Sequence, residues 1–467
     1  MTQAKTDTKD ITIIGGGISG LATAFWLKQE NFNVLVLEKG SDTGGTMETV
    51  TEHGFLFDRG PNSGLDTNPH IRTLVEQAGL ADEMIYADKT ARKRYILRDN
   101  TLHPLPMSPS AFIQSGLFSK KAKLRVMMEP LIRRSKEGDY QTVADFVKRR
   151  LGKEFLDYAI NPFVSGVFAG VPEQLSVRSA FPKLYRLEEV YGGLIKGMIK
   201  GAKERKNRPE KSKQTAQMFS FRHGMQILPR TLAEKLKDDV VLNADVTEIQ
   251  RNDSGYTVHY TLDGNQETHH TNAVLTTIPA YKLAAIAGGL DAELAEHLNA
   301  IYYPPVLLVL AGYKLRDIGQ PLDGFGFLIP AVEQKTFLGA IWSSTIFPGR
   351  SPEDCAAFTL FIGGARQPEL LSGGHDTVIE KALEEFQELM QIDVKPVYIA
   401  NRFWEKAIPQ YTPGYIEHIR CFEQFEESHP GFFIGGNFRG GISVSDCIGN
   451  SRKTCEKIKT FLSRDSK

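Results

Sequence analysis

Three glycines and one acid carry the first chemical signal. Gly15, Gly17 and Gly20 stand in G-x-G-x-x-G spacing after the apolar run Ile11-Thr12-Ile13-Ile14, and Leu21, Ala24, Phe25 and Leu27 then repeat at helical intervals. Strand, tight turn and helix in that order make a pyrophosphate seat. Gly15 permits the turn, Gly17 lets the backbone approach the anion, Gly20 lets helix and strand pack closely, and the helix start offers free N–H groups. A second apolar run, Val34-Leu35-Val36-Leu37, ends in Glu38, 18 residues past Gly20 and placed to hydrogen-bond a ribose hydroxyl. The glycines alone would also suit a surface turn of an ordinary α/β unit. The acid at the end of the second run favours a dinucleotide.

A further glycine turn, Lys39-Gly40-Ser41-Asp42-Thr43-Gly44-Gly45-Thr46, follows at once. NAD dehydrogenases do not require it, whereas a longer, bent cofactor needs extra backbone donors, which tilts the reading from NAD towards FAD. A third polar loop, Asp58-Arg59-Gly60-Pro61-Asn62-Ser63, is expected near the flavin end, although Gly, Pro and Asn would build a plain β-turn equally well. Near the C-terminus the strand-like Phe432-Phe433-Ile434 leads through a glycine turn, 435–446, into a helical tail. Such a helix start can offer a positive dipole and backbone donors to the N1–C2=O2 region of a flavin, which becomes electron-rich on reduction. A glycine loop that merely closes the fold is the alternative.

These residues need elements to position them. Tyr95-Ile96-Leu97 and 101–105 read as a hairpin turning at Asp99-Asn100, with Arg98 at the turn. Over 108–134, Phe112, Ile113, Leu117, Phe118, Leu124, Val126, Met127, Met128, Leu131 and Ile132 are interleaved with Lys120, Lys121, Lys123, Arg125, Arg133 and Arg134. That pattern suits a helical stretch lying in a lipid headgroup layer, or a helical subdomain with an internal apolar face. Residues 142–158 read as one helix and 161–172 as a loop. The lysine- and arginine-rich 201–217 reads as a solvated linker. A β-meander over 240–278, further strands at 324–329, 336–342, 356–362 and 397–403, and an amphipathic helix over 376–390 complete a sheet-based later chain.

The 467 residues suffice for two or three domains, and 56 basic against 56 acidic residues give no net field for nucleic acid. Cys355, Cys421, Cys447 and Cys455 lie apart without C-x-x-C spacing, so neither a disulfide framework nor a metal site is expected, and a reducing compartment suits them. The polar first ten residues lack a signal-like apolar region, and the aliphatic run 306–310 falls far short of the ~20 residues of a membrane helix. The expectation is a cytoplasmic protein, soluble or peripheral on the inner membrane face.

Assembled, these residues strongly resemble the protoporphyrinogen oxidases, FAD enzymes of haem and chlorophyll synthesis that share the fold of amine oxidases and phytoene desaturases. The superfamily motif is visible in Gly15, Gly17, Gly20, Glu38 and Gly44-Gly45. Narrower likeness lies in Gly60-Pro61-Asn62-Ser63, Asn161-Pro162-Phe163, Val167-Phe168-Ala169-Gly170, Leu175-Ser176, Phe221 with Gly224-Met225-Gln226, Tyr302-Tyr303-Pro304-Pro305, Phe325-Gly326-Phe327, Ser343-Ser344 with Phe347-Pro348, Gly363-Gly364-Ala365-Arg366 and the 435–443 turn. Thr46 departs from the superfamily's frequent arginine. The resemblance implies an α/β fold: a Rossmann-like FAD-binding domain (10–86, 223–300, 405–467), a discontinuous α+β substrate domain (87–107, 218–222, 301–404), and a helical membrane-associating subdomain (108–200), with the linker at 201–217.

It also implies cofactor contacts at Gly15, Gly16, Gly17, Ser19, Gly20, Glu38, Lys39, Gly45, Thr46, Gly60, Pro61, Asn62, Ser63, Val246, Gly436, Asn437, Ser443 and Val444, and substrate contacts at Arg98, Phe168, Gly170 and Leu338, with Arg98 on a propionate. The implied reaction is the six-electron oxidation of protoporphyrinogen IX, with dioxygen as acceptor and hydrogen peroxide released. No side-chain base is implied, and His53, His103, His223 and His418 are expected to be structural. Coproporphyrinogen, carotenoid or amine oxidation, or a non-catalytic porphyrin-binding flavoprotein, are the alternatives. A homodimer is left open.

Overall fold

The computed structural model describes residues 9–201 and 216–463; the interior of the expected linker, 202–215, lies outside the described residues. A seven-stranded sheet runs Val240–Val241, Val34–Leu37, Lys9–Ile14, Asn265–Thr276, Gly255–Leu262, Ala244–Asn252, with Phe432–Ile434 also on Asn265–Thr276. The strand Asn265–Thr276 serves two neighbourhoods. Its first half pairs antiparallel with Gly255–Leu262, and its second half lies parallel between Lys9–Ile14 and Phe432–Ile434. The meander therefore extends the first strand's sheet.

Side chains alternate across this sheet, and both faces are covered, which is why its parallel strands read as unbroken apolar runs. Ile11, Ile13, Val34, Val36, Ala273 and Leu275 pack on the helices Ile18–Gln29 and Val444–Leu462. Ile14, Leu35, Leu37 and Val274 pack on Ala280–Ala287, Ala292–Asn299 and Tyr415–Ser428.

A second seven-stranded sheet runs Tyr398–Trp404, Val306–Lys314, Cys355–Gly363, Phe337–Trp342, Gly326–Leu328, Tyr95–Arg98, Thr101–Pro104. Leu307, Val309 and Ala311 face the helix Asp376–Met390, while Leu308, Leu310 and Leu338 face Phe55 and Phe57. The hairpin turns at Asp99 and Asn100, both left-handed with φ of 53° and 56°, leaving Arg98 as a strand's last residue.

The helical layer departs from expectation. The helix Val143–Arg150, capped by Thr142, stops at Gly152, whose φ of +95° no continuing helix tolerates. Lys153–Phe155, a π-turn Leu156–Ile160 and the helix Asn161–Phe168 follow, so the expected loop at 161–172 begins as a helix. Pro162 does not break it, because it occupies the first turn, where no intrahelical acceptor awaits its missing N–H. Arg150, fully buried, pairs with Glu129 and with Glu188 at 2.9 Å, and Glu129 also accepts from the Leu194 and Ile195 amides. Among the described residues no helix is long and apolar enough to cross a membrane.

Candidate functional site

One continuous cavity runs from the glycine turns to the helical layer. At its first end the wall is main chain. Gly15 has φ +110°, and a Cβ on Gly20 would stand 2.1 Å from the Gly15 carbonyl oxygen, so neither position accepts a side chain. Gly17 forms a parallel bridge with Gly44, and the Gly44 amide donates to Gly16 O at 2.9 Å, setting the two turns side by side. Glu38 clamps them: one carboxylate oxygen accepts from Gly16 N and the other from Gly40 N, both at 2.6 Å. Gly60 backs onto the second turn, where a Cβ would meet Thr46 O at 1.9 Å.

The arrangement fits a dinucleotide. The helix Ile18–Gln29 starts at Gly17 with no side-chain cap, and its first N–H groups open on the cavity. A Cβ at Gly17 would meet only Gly44 O at 4.0 Å, and one at Gly45 only the Gly17 Cα at 3.5 Å. This is open cradle in an otherwise tight wall, where a phosphate can approach. Ser19, Glu38, Lys39, Thr46, Gly60, Pro61, Asn62, Ser63, Val246, Asn437, Ser443 and Val444 line the same cavity. Lys39 is held at its rim by Asp245 at 2.7 Å. Gly16, Gly20 and Gly436 stand behind the lining and shape the turns.

At the other end the wall is side chain. Phe168 and Leu338 lie in it with Phe112, Phe118, Val167 and Leu328. Gly170 does not: it packs against Gln410, whose Oε1 a Cβ would meet at 2.4 Å, so its role is close packing behind the wall. Arg98 also lies outside the lining. Its guanidinium donates to Glu154 at 2.8 Å and to Leu117 O at 2.5 Å and covers the Tyr158 ring at 4.3 Å, which leaves it satisfied within the helical layer.

Among the arginines that do line the cavity, Arg92, Arg94, Arg186 and Arg402, Arg94 stands four residues before Arg98. It is half-buried, stands over the Phe325 ring at 5.1 Å, and has no carboxylate partner among the described residues. Burial holds its pKa below the ordinary arginine value. A signal was present in the sequence: Asp99 directly follows Arg98, whereas the run Arg92-Lys93-Arg94 contains no acid. His53, His103, His223 and His418 all lie off the lining; His223 pairs with Glu83 and His418 with His297. The terminal turn is held by Tyr411, which the sequence did not single out. Among the described residues no cluster could hold a metal ion.

Residues 18–459 match the family described as Flavin containing amine oxidoreductase. The chain is 32% identical to protoporphyrinogen oxidase 2, chloroplastic/mitochondrial, of Arabidopsis thaliana, over 97% of this chain and 94% of that one. It is 28% identical to coproporphyrinogen III oxidase of Bacillus subtilis, over 97% and 98% of the respective chains. A crystal structure from Exiguobacterium sp. 255-15 superposes with a TM-score of 0.80 at 24% identity, covering 97% of this chain and 99% of that one, and so shares its fold. The chain belongs to the flavin-containing amine oxidoreductase family, and its cofactor is FAD.

Proposed function

We propose that this chain oxidises protoporphyrinogen IX to protoporphyrin IX in three two-electron steps, with dioxygen as acceptor and hydrogen peroxide as product. Bound FAD supplies the two-electron acceptor. The protein's residues bind and orient. The Gly17 and Gly45 turns take the phosphates, Glu38 a ribose hydroxyl, and the wall around Phe168 and Leu338 keeps water from an apolar tetrapyrrole. Arg94 anchors a propionate by charge-assisted hydrogen bonds.

Arg94 is the observation that carries the reading. A half-buried guanidinium repels the ammonium of an amine substrate and has no use for an uncharged carotenoid, whereas it fits a carboxylate. The apolar wall at Phe118, Val167, Phe168, Leu328 and Leu338 suits the two vinyl groups that protoporphyrinogen carries where coproporphyrinogen carries propionates. The test is anaerobic addition of each porphyrinogen to the flavin-loaded protein. Bleaching of the flavin by protoporphyrinogen IX, then three peroxides per porphyrin on admitting air, is expected. Preferential turnover of coproporphyrinogen III would move the assignment, and an unbleached flavin with both would end it.

The same reading extends to a lipid surface on the cytoplasmic side. Ile113, Leu124, Met127, Leu131 and Ile199 are 61%, 55%, 58%, 77% and 71% exposed in the helical layer. Ile113, Met127 and Ile199 also line the cavity, which offers an apolar substrate a route from lipid. Lys120 and Lys121 are exposed beside them, whereas Lys123 is held by the Ile113 and Ser115 carbonyls. Flotation with anionic vesicles, reduced by replacing Lys120 and Lys121 with Glu, is the expected result; recovery wholly in the soluble fraction would refute it.

A further inference from the structure

The terminal turn that faces the cavity is bridged from limb to limb by one phenol. Tyr411 is 4% exposed, its ring lines the cavity, and its centroid lies 4.5 Å from that of Tyr415 and 6.2 Å from that of Phe168. Its hydroxyl donates to Asn437 O at 2.7 Å and accepts from Gly441 N at 3.0 Å. These partners stand on opposite limbs of the same turn.

The turn has little regular structure of its own. Gly436, Gly440 and Gly441 have φ of +111°, +85° and +132°. Within it, one backbone bond runs from Arg439 N to Gly436 O at 3.2 Å. Tyr411 is fixed from outside: its carbonyl accepts from Ser176 N at 2.7 Å, in the helical layer. Burial pushes its pKa far up, so the hydroxyl remains a donor across the working pH range.

Directly after the turn, Ser443 caps the helix Val444–Leu462 through the Asp446 amide, and the Val444 and Ser445 amides have no intrahelical acceptor. These donors and the helix dipole favour whatever becomes electron-rich at the cavity's edge, to an extent set by how firmly they are held. We propose that Tyr411 is a positioning residue: by closing the 436–441 turn it fixes those donors and sets the reduction potential of the bound FAD. The proposal rests on the family's flavin and is independent of the substrate's identity.

Tyr415 supplies the control. Its hydroxyl donates to Phe438 O of the same turn at 2.6 Å, at a single point and from a position outside the lining, so it touches the turn without joining its limbs. The potential of the FAD-loaded protein is measured against redox dyes with no substrate present, so a wrong substrate would leave the result intact. Tyr411→Phe is expected to lower the potential by about 30 mV, equivalent to a tenfold weaker preference for the reduced over the oxidised cofactor. The Gly441 amide should also exchange faster. Tyr415→Phe is expected to lower the melting temperature at unchanged potential. A wild-type potential in Tyr411→Phe, or equal shifts in the two variants, would overturn the assignment. Should Tyr411→Phe fail to retain FAD, undiminished protection of its Gly441 amide would overturn it equally.

Discussion

Around Gly17 and Gly44 the cavity wall is main chain, built from turns in which a Cβ finds either no room or open cradle. Around Arg94 and Phe168 it is side chain, drawn from a sheet edge and a helical layer. The first end has donors that no substitution short of deforming the backbone can remove. The second owes its chemistry to a few side chains, each replaceable without moving the fold. Changes at the first end should therefore act through folding and cofactor retention, and changes at the second through substrate alone.

Gly20→Val should have the largest effect. Its Cβ would stand 2.1 Å from the Gly15 carbonyl oxygen and 2.9 Å from Thr277 Oγ1, an overpacking that costs about 3 kcal/mol and dislodges the helix start. Purification should yield little folded protein and no flavin absorbance. Gly17→Ala sharpens the contrast within the same turn. Its Cβ meets only Gly44 O at 4.0 Å, so the apo-protein should melt as wild type while FAD dissociates more readily. Equal melting temperatures for Gly20→Val and wild type would break the account of this end.

Next come the two arginines of one hairpin. Arg94→Met should lower kcat/KM for the porphyrinogen about thirtyfold, the equivalent of about 2 kcal/mol for a hydrogen bond to a charged group, with the flavin spectrum unchanged. Arg98→Met should do the opposite. It releases Glu154 and uncovers Tyr158, costing about 1 kcal/mol or less of stability because both partners are about a quarter exposed, at 23% and 25%, and should leave kcat/KM near wild type. If Arg98→Met impaired turnover more than Arg94→Met, the placement of the carboxylate anchor would be wrong.

The same contrast explains what could be read in the sequence. The first end was legible because its parts are neighbours: the glycines, the strand before them and Glu38 span one local unit whose φ requirements leave a mark in residue type. The helix Asp376–Met390 was legible for a similar reason, an apolar face at helical spacing ending at a left-handed Gln391. Arg98 was expected on a propionate because its main partner Glu154 lies 56 residues away, and only the adjacent Asp99 gave a local sign that this guanidinium is engaged. Tyr411 was missed because its partners lie 26 and 30 residues on and are backbone atoms, which leave no trace in residue identity. The helix Asn161–Phe168 was hidden by its small residues and aromatics, which suit a loop equally well, and Pro162 in its first turn does not prevent it.

The smallest expected effect tests whether the cofactor end is also the pH-sensitive one. Behind it, His418 on the helix Tyr415–Ser428 meets His297, with their Nδ1 atoms 2.8 Å apart, and the Tyr415 ring lies edge-on to His418. Burial first, and then a charge on His297, lower the His418 pKa, while Glu417 pulls the other way. The unfolded chain takes up a proton near the ordinary value of 6.5 whereas the folded chain resists it, so this contribution is intact above that pH and is lost as pH falls below it. Partial exposure screens the effect, and the melting temperature should fall by roughly 1–2 °C between about pH 7 and about pH 5.5. His418→Phe should flatten that part of the profile, and Arg94→Met should leave it untouched. A profile unchanged by His418→Phe would remove the pair as its source, and one flattened by Arg94→Met would couple two ends that share a cavity but no hydrogen bond among the described residues.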